Sequence, residues 1–270
     1  MVVQHNLSAM NTSRQMNSVS SAMSKSTEKL SSGYKINRAA DDAAGLSISE
    51  KMRSQIRGLN KASDNAQDGI SLIQVAEGAL NETHSILQRM NELATQAAND
   101  TNTSVDRQSI KDEIEQLNEE LDRISTTTQF NKQDLLTGGF SGKLQVGALE
   151  GQTMDVKISL AVSAKGLNVS AVEVSTNAKA GDAMQSIQDA IESVSKQRSK
   201  LGAIQNRLEH TINNLDTNAE NTQAAESRIR DTDMADEMVQ YSKNNILSQA
   251  GQSMLAQANQ QTQGVLSLLG

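Results

Sequence analysis

The sequence predicts a mainly α-helical protein: an elongated helical bundle or coiled coil with a small β-hairpin region, whose two termini form a paired coiled coil. The 270 residues include no proline, where average usage would give about 13. Proline breaks helices, so its absence favours long uninterrupted ones. Two tyrosines, two phenylalanines and no tryptophan are too few for a large compact core. A hydrophobic share of 36% instead fits helices that each bury a narrow stripe.

The first 30 residues predict a helix with apolar surface on two sides. One set of apolar residues is Val3, Leu7 and Met10, and a second is Met16, Val19, Met23 and Leu30. The step of six between Met10 and Met16 places the second set almost opposite the first. A single chain can hardly cover both sides, so we expect this segment to be disordered alone and helical when packed.

The middle of the chain predicts three helices and one hairpin. Apolar residues at spacings of three and four indicate a helix of about 40 residues from Leu59, another over 110–124, and a third of about 45 residues over 182–229. Between the last two, the period changes to two within 143–162, with a glycine-containing turn near 150–151. This change predicts a β-hairpin.

The C-terminal segment, after the acidic break at 231–233, predicts a further apolar helix. Its side chains would be costly to leave in water unless a partner covers them. The apolar residues are Met234, Met238, Tyr241, Ile246, Leu247, Ala250, Met254, Leu255, Ala258, Val265, Leu266, Leu268 and Leu269.

Charge and motifs argue against several functions. The net charge of −7, with no cluster of basic residues, argues against nucleic-acid binding. His5, His84 and His210 are isolated, cysteine is absent, and the GGFSGK stretch at 138–143 lacks phosphate-loop spacing. We therefore expect no enzyme activity and no catalytic, metal or cofactor-binding residues. No run of apolar residues is long enough to predict a membrane-spanning helix. No signal peptide is visible at the N-terminus, which by itself would indicate a cytoplasmic protein.

Several long motifs carry a family resemblance. LSSGYKINRAADDAAGLSISEKMRSQIRGL (30–59), NAQDGISLIQVAEGALNE (65–82), SRIRDTDMADE (227–237) and NNILSQAGQSMLAQANQQTQGVLSLLG (244–270) closely resemble bacterial flagellin. They come from both ends of the chain. The DDAAGL, QVGA and GQT motifs favour flagellin over the hook-associated proteins that share its terminal helices.

The resemblance implies a domain plan. Residues 1–40 would be an N-terminal filament-core helix, disordered in the monomer. Outer-shell helices and the hairpin (about 143–162) would occupy 41–180, the long return helix 181–230, and the C-terminal filament-core helix 231–270. Only about 20 residues, 163–181, stand where the family carries outer variable domains, so the chain is similar to a short flagellin without them.

The resemblance implies a structural subunit that self-assembles into the flagellar filament for motility. Such a subunit is exported unfolded by the flagellar type III pathway, which revises the cytoplasmic expectation to an extracellular one. Its implied partners are further copies of itself, an export chaperone at the C-terminal helix, and hook-associated and cap proteins. The alternative is a hook–filament junction or cap-associated protein. The expected assembly-interface residues are Val3, Leu7, Met10, Met16, Met23, Leu247, Met254, Leu255, Val265, Leu266 and Leu269.

The resemblance also implies recognition by a Toll-like receptor of animal hosts. The matching positions of the family's contact motif are Gln88, Arg89, Leu93 and Glu113. Asn91 and Leu117 stand where the family often carries arginine. The alternative role for these positions is packing or subunit contact, and Leu93 already lies on an apolar stripe.

Overall fold

The computed structural model describes residues 6–269, with side chains described through Gln261, and it confirms the mainly α fold class. The expected interface residue Val3 lies outside the described residues, and Val265, Leu266 and Leu269 lie beyond the described side chains. The helices are α1 (Leu7–Ser32), α2 (Ala43–Ala97), α3 (Ser104–Thr127), α4 (Asn177–Arg230) and α5 (Met234–Leu269). The strands are β1 (Gln129–Phe130), β2 (Gln133–Asp134), β3 (Phe140–Gln145) and β4 (Thr153–Ile158).

The chain forms two compact units. Unit 1 comprises the residues up to Ser54 and those from Asn221 onward, and unit 2 comprises Gln55–Glu220. Helix α2 is 55 residues long and begins at Ala43, well before the apolar pattern at Leu59. Its early start has a local cause: the Asp42 side chain accepts a hydrogen bond from Gly45 N (2.9 Å), which satisfies a free amide of the first turn.

The apolar stripes predicted from the sequence form the core of unit 2. Along α2, the stripe from Leu59 to Ala97 is buried, and along α4 so are Ile187, Val194, Leu201, Leu208 and Leu215. Helix α3 contributes Ile110, Ile114, Leu121 and Ile124 to the same core. Stripes on three helices that face one another bury apolar area without aromatic residues, which explains how so aromatic-poor a sequence folds.

Strands β3 and β4 form the predicted hairpin. They pair antiparallel from Phe140 opposite Ile158 to Gln145 opposite Thr153. Side chains alternate along β4, so that Met154, Val156 and Ile158 are buried. The turn contains Gly151 in the left-handed region (φ 84°), as the glycine-containing turn predicts.

The hairpin lies against glycines of α2. A Cβ at Gly58 would come 2.8 Å from Ala148 Cβ, and one at Gly69 would overlap Leu144 Cδ1. Between them, Asn65 Nδ2 donates to the Gln145 carbonyl at 3.1 Å. These helix positions are spaced by seven and four, so they share one face. The missing side chains let the hairpin approach the helix backbone closely.

Side chains from α2 and α4 also cover the outer edges of the hairpin. The carbonyls of Gln145 and Lys157 belong to pairs whose main-chain groups point away from the partner strand. Asn65 on α2 donates to the first carbonyl, and Gln197 Nε2 on α4 donates to the second at 3.3 Å. Gln197 is buried, so this bond satisfies a polar side chain inside the core.

A second, smaller hairpin was not predicted. Strands β1 and β2 pair through a two-residue turn in which Asn131 (φ 49°) and Lys132 (φ 62°) are both left-handed. Such turns usually carry glycine, so the FNKQ stretch lacks the usual signal.

Residues 163–176 form a compact segment instead of an inserted domain. Ala164, Leu167, Val169 and Val174 are buried. Two side chains of α3 hold the segment: Asp122 Oδ1 accepts from Ala164 N (2.8 Å), and Asn118 Nδ2 donates to the Val169 carbonyl (3.4 Å). The segment therefore completes the core of unit 2 at the position where the resemblance predicted that outer domains are missing.

Candidate functional site

Helices α1 and α5 of unit 1 pair antiparallel, which confirms the predicted pairing of the termini. Asn6 Nδ2 donates to the Ala258 carbonyl at 3.0 Å. A Cβ built on Gly251 would lie 3.9 Å from Met16 Cβ. Lys29 and Glu237 form an ion pair at 3.5 Å. The three contacts agree on one register along the whole pair.

A heptad seam lies between the two helices. The least exposed residues of both helices recur at alternating spacings of three and four, the signature of coiled-coil packing. On α1 they are Ala9, Thr12, Met16, Val19, Met23, Ser26 and Leu30. On α5 they are Glu237, Tyr241, Asn244, Ser248, Gly251, Leu255 and Ala258.

The seam pairs large residues with small or polar ones. In the observed register, Met16 lies opposite Gly251, as the measured distance shows. The same register places Val19 opposite Ser248 and Ser26 opposite Tyr241. Layers of this kind bury little apolar area, so the pair is held weakly by its own contacts.

The structure divides the expected assembly residues into two groups. Met16, Met23 and Leu255 are half-buried in the seam. The other group, outside the seam, keeps exposed fractions of 45–70%: Leu7, Met10, Leu247 and Met254. Met238, Val239 and Ile246 add to the exposed apolar surface of α5. A concentration of large apolar side chains in water is the usual mark of a protein–protein contact surface.

A connection that we call the connector clasp, residues 33–36 and 230–232, joins the turn after α1 to the link before α5. Tyr34 and Asp231 form an isolated antiparallel bridge. The main-chain hydrogen bonds run from Lys35 N to the Arg230 carbonyl (2.6 Å) and from Thr232 N to the Gly33 carbonyl (3.0 Å). Gly33 has φ 77° and caps α1, a conformation that favours glycine.

The side chain of Arg230 holds the clasp from inside unit 1. It is only 12% exposed, and its Nη1 lies 2.7 Å from Glu50 Oε1 on α2. Its guanidinium lies 4.8 Å from the centre of the Tyr34 ring, within the range of a cation–π interaction. Arg230 thus links the turn after α1, the start of α2 and the end of α4.

The DDAAG motif shapes the same turn. Asp41 accepts hydrogen bonds from Arg38 N (3.0 Å) and Asn37 N (3.3 Å), which lower the pKa of Asp41. Gly45 is buried, and a Cβ there would come 2.8 Å from Ile36 Cδ1. The two aspartates therefore have separate structural roles: Asp41 supports the turn and Asp42 caps α2.

The residues matched to a receptor motif fall into an exposed group and a buried residue. Arg89 Nε binds Glu113 Oε1 at 3.0 Å, and Arg89 Nη1 binds Glu92 Oε2 at 3.2 Å. These carboxylates, Glu113 first, raise the pKa of Arg89. Gln88 is exposed and shares a hydrogen bond with the His84 ring. Leu93 is 2% exposed, so in this chain it packs into the core.

Within residues 6–269 no three His, Cys, Asp or Glu side chains come together as metal ligands would. Among the helices described, none combines the length and apolarity needed to cross a membrane. The exposed apolar side chains of α1 and α5 are the surface most suited to contacts with other proteins. The sequence pattern predicted the apolar residues of this surface but not the clasp. The available signal for the clasp was Gly33 after the first helix and Asp231 in the acidic stretch before the last one.

Known proteins resemble this chain over its full length. Residues 3–141 match the family described as the bacterial flagellin N-terminal helical region, and 184–269 match the C-terminal helical region. The sequence is 55% identical to a flagellin of Halalkalibacterium halodurans and 51% identical to a flagellin of Bacillus subtilis, over 100% of both chains in each case. It also resembles the crystal structure of Bacillus cereus flagellin (TM-score 0.51, 34% identity), over 60% of this chain and 94% of that one.

Proposed function

The chain belongs to the bacterial flagellin family, and from this premise we propose how it assembles and which partners it meets. A flagellin is a structural subunit of the extracellular flagellar filament and not an enzyme. The observation that carries the assembly proposal is the exposed apolar surface of α1 and α5 outside their seam. Other copies of the chain cover this surface in the filament.

We assign the segments of the chain the roles that the domain plan expects. Residues 1–40 and 231–270 are the filament-core segments, with α1 and α5 paired. Residues 41–180 and the return helix 181–230 build the outer shell. The uneven burial supports this plan: apart from Ile36, the buried hydrophobic residues among those described all belong to unit 2. Segments with so little buried apolar surface gain most of their stability from neighbours.

Interface residues in the core segments have two roles under this proposal. Met16, Met23 and Leu255 hold the seam within one subunit. Leu7, Met10, Leu247 and Met254 contact neighbouring subunits, and we propose the same role for Val3, Val265, Leu266 and Leu269. Burying each large aliphatic side chain contributes about 1.5–3 kcal/mol, so several such contacts per subunit are needed to offset an association cost of about 4–15 kcal/mol.

The exposed apolar surface of α1 and α5 also bears on how the chain is exported and on which proteins assist its assembly. The chain leaves the cell unfolded by the flagellar type III pathway, and the small buried apolar surface of unit 1 means that its terminal helices unfold readily. An export chaperone covers the apolar face of the C-terminal helix until secretion. Hook-associated and cap proteins contact the ends of the filament.

Truncation tests the assembly role. Chains lacking residues 1–30 or 240–270 should remain helical by circular dichroism and form no filaments by electron microscopy. Replacing Leu7 and Met10 by glutamine should also abolish filaments, whereas glutamine at the exposed neighbours Ser8 and Asn11 should leave them intact.

Polymerisation of the truncated chains would contradict the assembly role of the termini. Short rings, or no assembly of the full chain, would favour the alternative of a hook–filament junction or cap-associated protein.

We also propose that a Toll-like receptor of animal hosts binds the monomer through Gln88, Arg89 and Glu113. Their exposure and the ion pair that orients Arg89 support the proposal. Buried Leu93 supports the α2 surface from beneath. The Asn91 and Leu117 positions, where the family often carries arginine, weaken the binding without removing it.

Single substitutions test the receptor surface. Arg89→Ala and Glu113→Ala should each weaken receptor binding by about tenfold or more, the loss typical of an interface arginine and its partner. Arg123→Ala is a matched control, because Arg123 is also exposed and paired with a glutamate, Glu120, on α3. Unchanged affinity in both test variants, measured by surface plasmon resonance, would contradict the proposed contact.

A further inference from the structure

We propose that Arg230 is a positioning residue that sets the register of the α1·α5 pair by holding the connector clasp closed. The proposal concerns how α1 and α5 are aligned within a single subunit. It applies to the coil on which the proposed function rests, but it can be tested whether or not filaments form.

The seam by itself does not select one register. Sliding α5 by one heptad would place Met23 opposite Gly251 and Met16 opposite Ala258. Both layers would again set a large side chain against a small one. A slip of this kind therefore costs little apolar packing, and register must be fixed elsewhere, as it is in coiled coils by polar or ionic contacts at single positions.

A slip has to break the clasp as well as the hydrogen bond from Asn6 to the Ala258 carbonyl at the other end of the pair. The clasp joins the residue after α1 to the residues before α5, so moving one helix about 10 Å along the other would separate Gly33 from Thr232 and Lys35 from the Arg230 carbonyl. The ion pair between Lys29 and Glu237 is next to the clasp and reinforces the same register. Its N···O distance of 3.5 Å is longer than the 2.7 Å between Arg230 and Glu50, and within the described part of the chain Lys29 has no second contact like the one between Arg230 and the Tyr34 ring, so this pair holds the register less firmly.

Arg230 is the side chain that keeps the clasp together. Its nearly buried guanidinium contacts Glu50 and the Tyr34 ring at the same time. Glu50 belongs to α2 and Tyr34 to the turn after α1, so the arginine fixes both relative to its own carbonyl, which accepts from Lys35 N. Without the guanidinium, the main-chain hydrogen bonds of the clasp would lack the side-chain contacts that hold Tyr34 and Glu50 beside Arg230, and the clasp would open more readily.

Disulfide formation can read the register directly, because the chain has no cysteine of its own. In the double variant Met16→Cys/Gly251→Cys, the two Cβ atoms would lie 3.9 Å apart, within the usual range for a disulfide. In Met23→Cys/Gly251→Cys, the cysteines would lie about one heptad apart, about 10 Å. Only a slipped pair brings them together. Oxidation rates of the two reporters, followed by mass spectrometry of the purified chain, give the ratio of native to slipped register.

Two variants of the clasp contact and one control are then compared in both reporter backgrounds. Arg230→Met keeps the aliphatic stem and removes the guanidinium, and Glu50→Gln removes its charge partner. Arg228→Met is the matched control, because Arg228 is exposed on the same turn of α4. We expect Arg230→Met to lower the native-to-slipped ratio at least fivefold. Glu50→Gln should lower it less, and Arg228→Met should leave it unchanged.

An unchanged ratio in Arg230→Met would overturn the proposal. Loss of helicity in both Arg230→Met and Glu50→Gln would also overturn it, because the clasp would then be needed to form the helices and not to align them. Failure of the parent chain to form filaments would contradict the proposed function alone, since the disulfide ratio is measured within single chains.

Discussion

Glycines inside α2 differ in what they do for the fold. Glycine in a helix interior costs about 0.5–1 kcal/mol relative to alanine, so each one calls for a packing reason. At Gly58 and Gly69 the reason is the hairpin, which occupies the space of the missing side chains. At Gly78 nothing lies within 4 Å of the position that a Cβ would take.

Alanine substitutions should therefore change stability in opposite directions along one helix. Gly58→Ala should lower the free energy of unfolding by about 1–3 kcal/mol, because the new methyl overlaps Ala148 and forces a shift of the hairpin. Gly78→Ala, the matched control, should raise it by about 0.5–1 kcal/mol. Urea unfolding followed by circular dichroism measures both. Equal stabilisation by both substitutions would show that the hairpin does not depend on close approach at Gly58.

Helix α3 is the element whose beginning is best defined by local contacts. Thr103 Oγ1 accepts from Asp106 N (3.4 Å), and Asp106 Oδ2 accepts from Thr103 N (2.9 Å), which completes a capping box. The main-chain and hydroxyl donors of Thr103 lower the pKa of Asp106. The charged carboxylate is thus favoured in the folded chain.

The pH dependence of this cap follows from the direction of that shift. Because the folded-state pKa lies below the unfolded value of about 3.9, the stabilisation is present above pH 4 and is lost as the pH falls through the folded-state pKa. Asp106→Asn should lower the urea midpoint at pH 7, and the difference from the parent should shrink towards pH 2.5. Glu119→Gln, exposed on the same helix, controls for the change in net charge. A difference that does not vary with pH would exclude a role for the ionised carboxylate.

Periodicity was enough to predict most elements but not how they join. The stripes from Leu59 and Ile110 predicted α2 and α3 because burial on one side leaves a direct mark on residue order. The first turns of α2 carry no such stripe. Their helical state depends on the Asp42 cap and on Gly45 beneath Ile36, contacts that exist only after the turn has folded. The β1–β2 turn was missed because Asn131 and Lys132 adopt a conformation that glycine usually signals.

The candidate site was predictable in its apolar residues and not in its register. Met16 and Leu7 stood out as members of opposed apolar sets, and the structure places them inside and outside the seam, respectively. The partner of Met16, a glycine about 235 residues away, leaves no periodic signal of its own. Likewise, the SRIRDTDMADE motif predicts only a basic residue at the end of a helix. The role of Arg230 depends on its contact with Glu50, which is distant in the sequence.

Across the whole molecule, buried apolar surface is distributed unevenly between the two units. Ile36 is the single buried hydrophobic residue of unit 1 among the residues described, while unit 2 holds a continuous core. Local opening requires little free energy where few apolar contacts must break. The two units should therefore differ in how readily they open.

Hydrogen exchange of the soluble chain should show this difference. Main-chain amides of α1 and α5 should exchange about a hundredfold faster, or more, than those around Leu80 and Leu201. In assembled filaments the gap should narrow if, as we propose, neighbouring subunits cover the terminal helices. Equal protection in the soluble chain, measured by mass spectrometry, would contradict a coil that depends on its neighbours.

The covered edges of the hairpin have a consequence for how such a chain can polymerise. An unpaired strand edge invites strands from other molecules, the route to cross-β aggregates. Here the side-chain amides of Asn65 and Gln197 occupy one outward carbonyl on each edge. Occupying these carbonyls makes pairing with strands of another molecule less favourable at these two positions. For a chain that associates through helix surfaces, each satisfied carbonyl removes one group through which two molecules could instead join strand to strand.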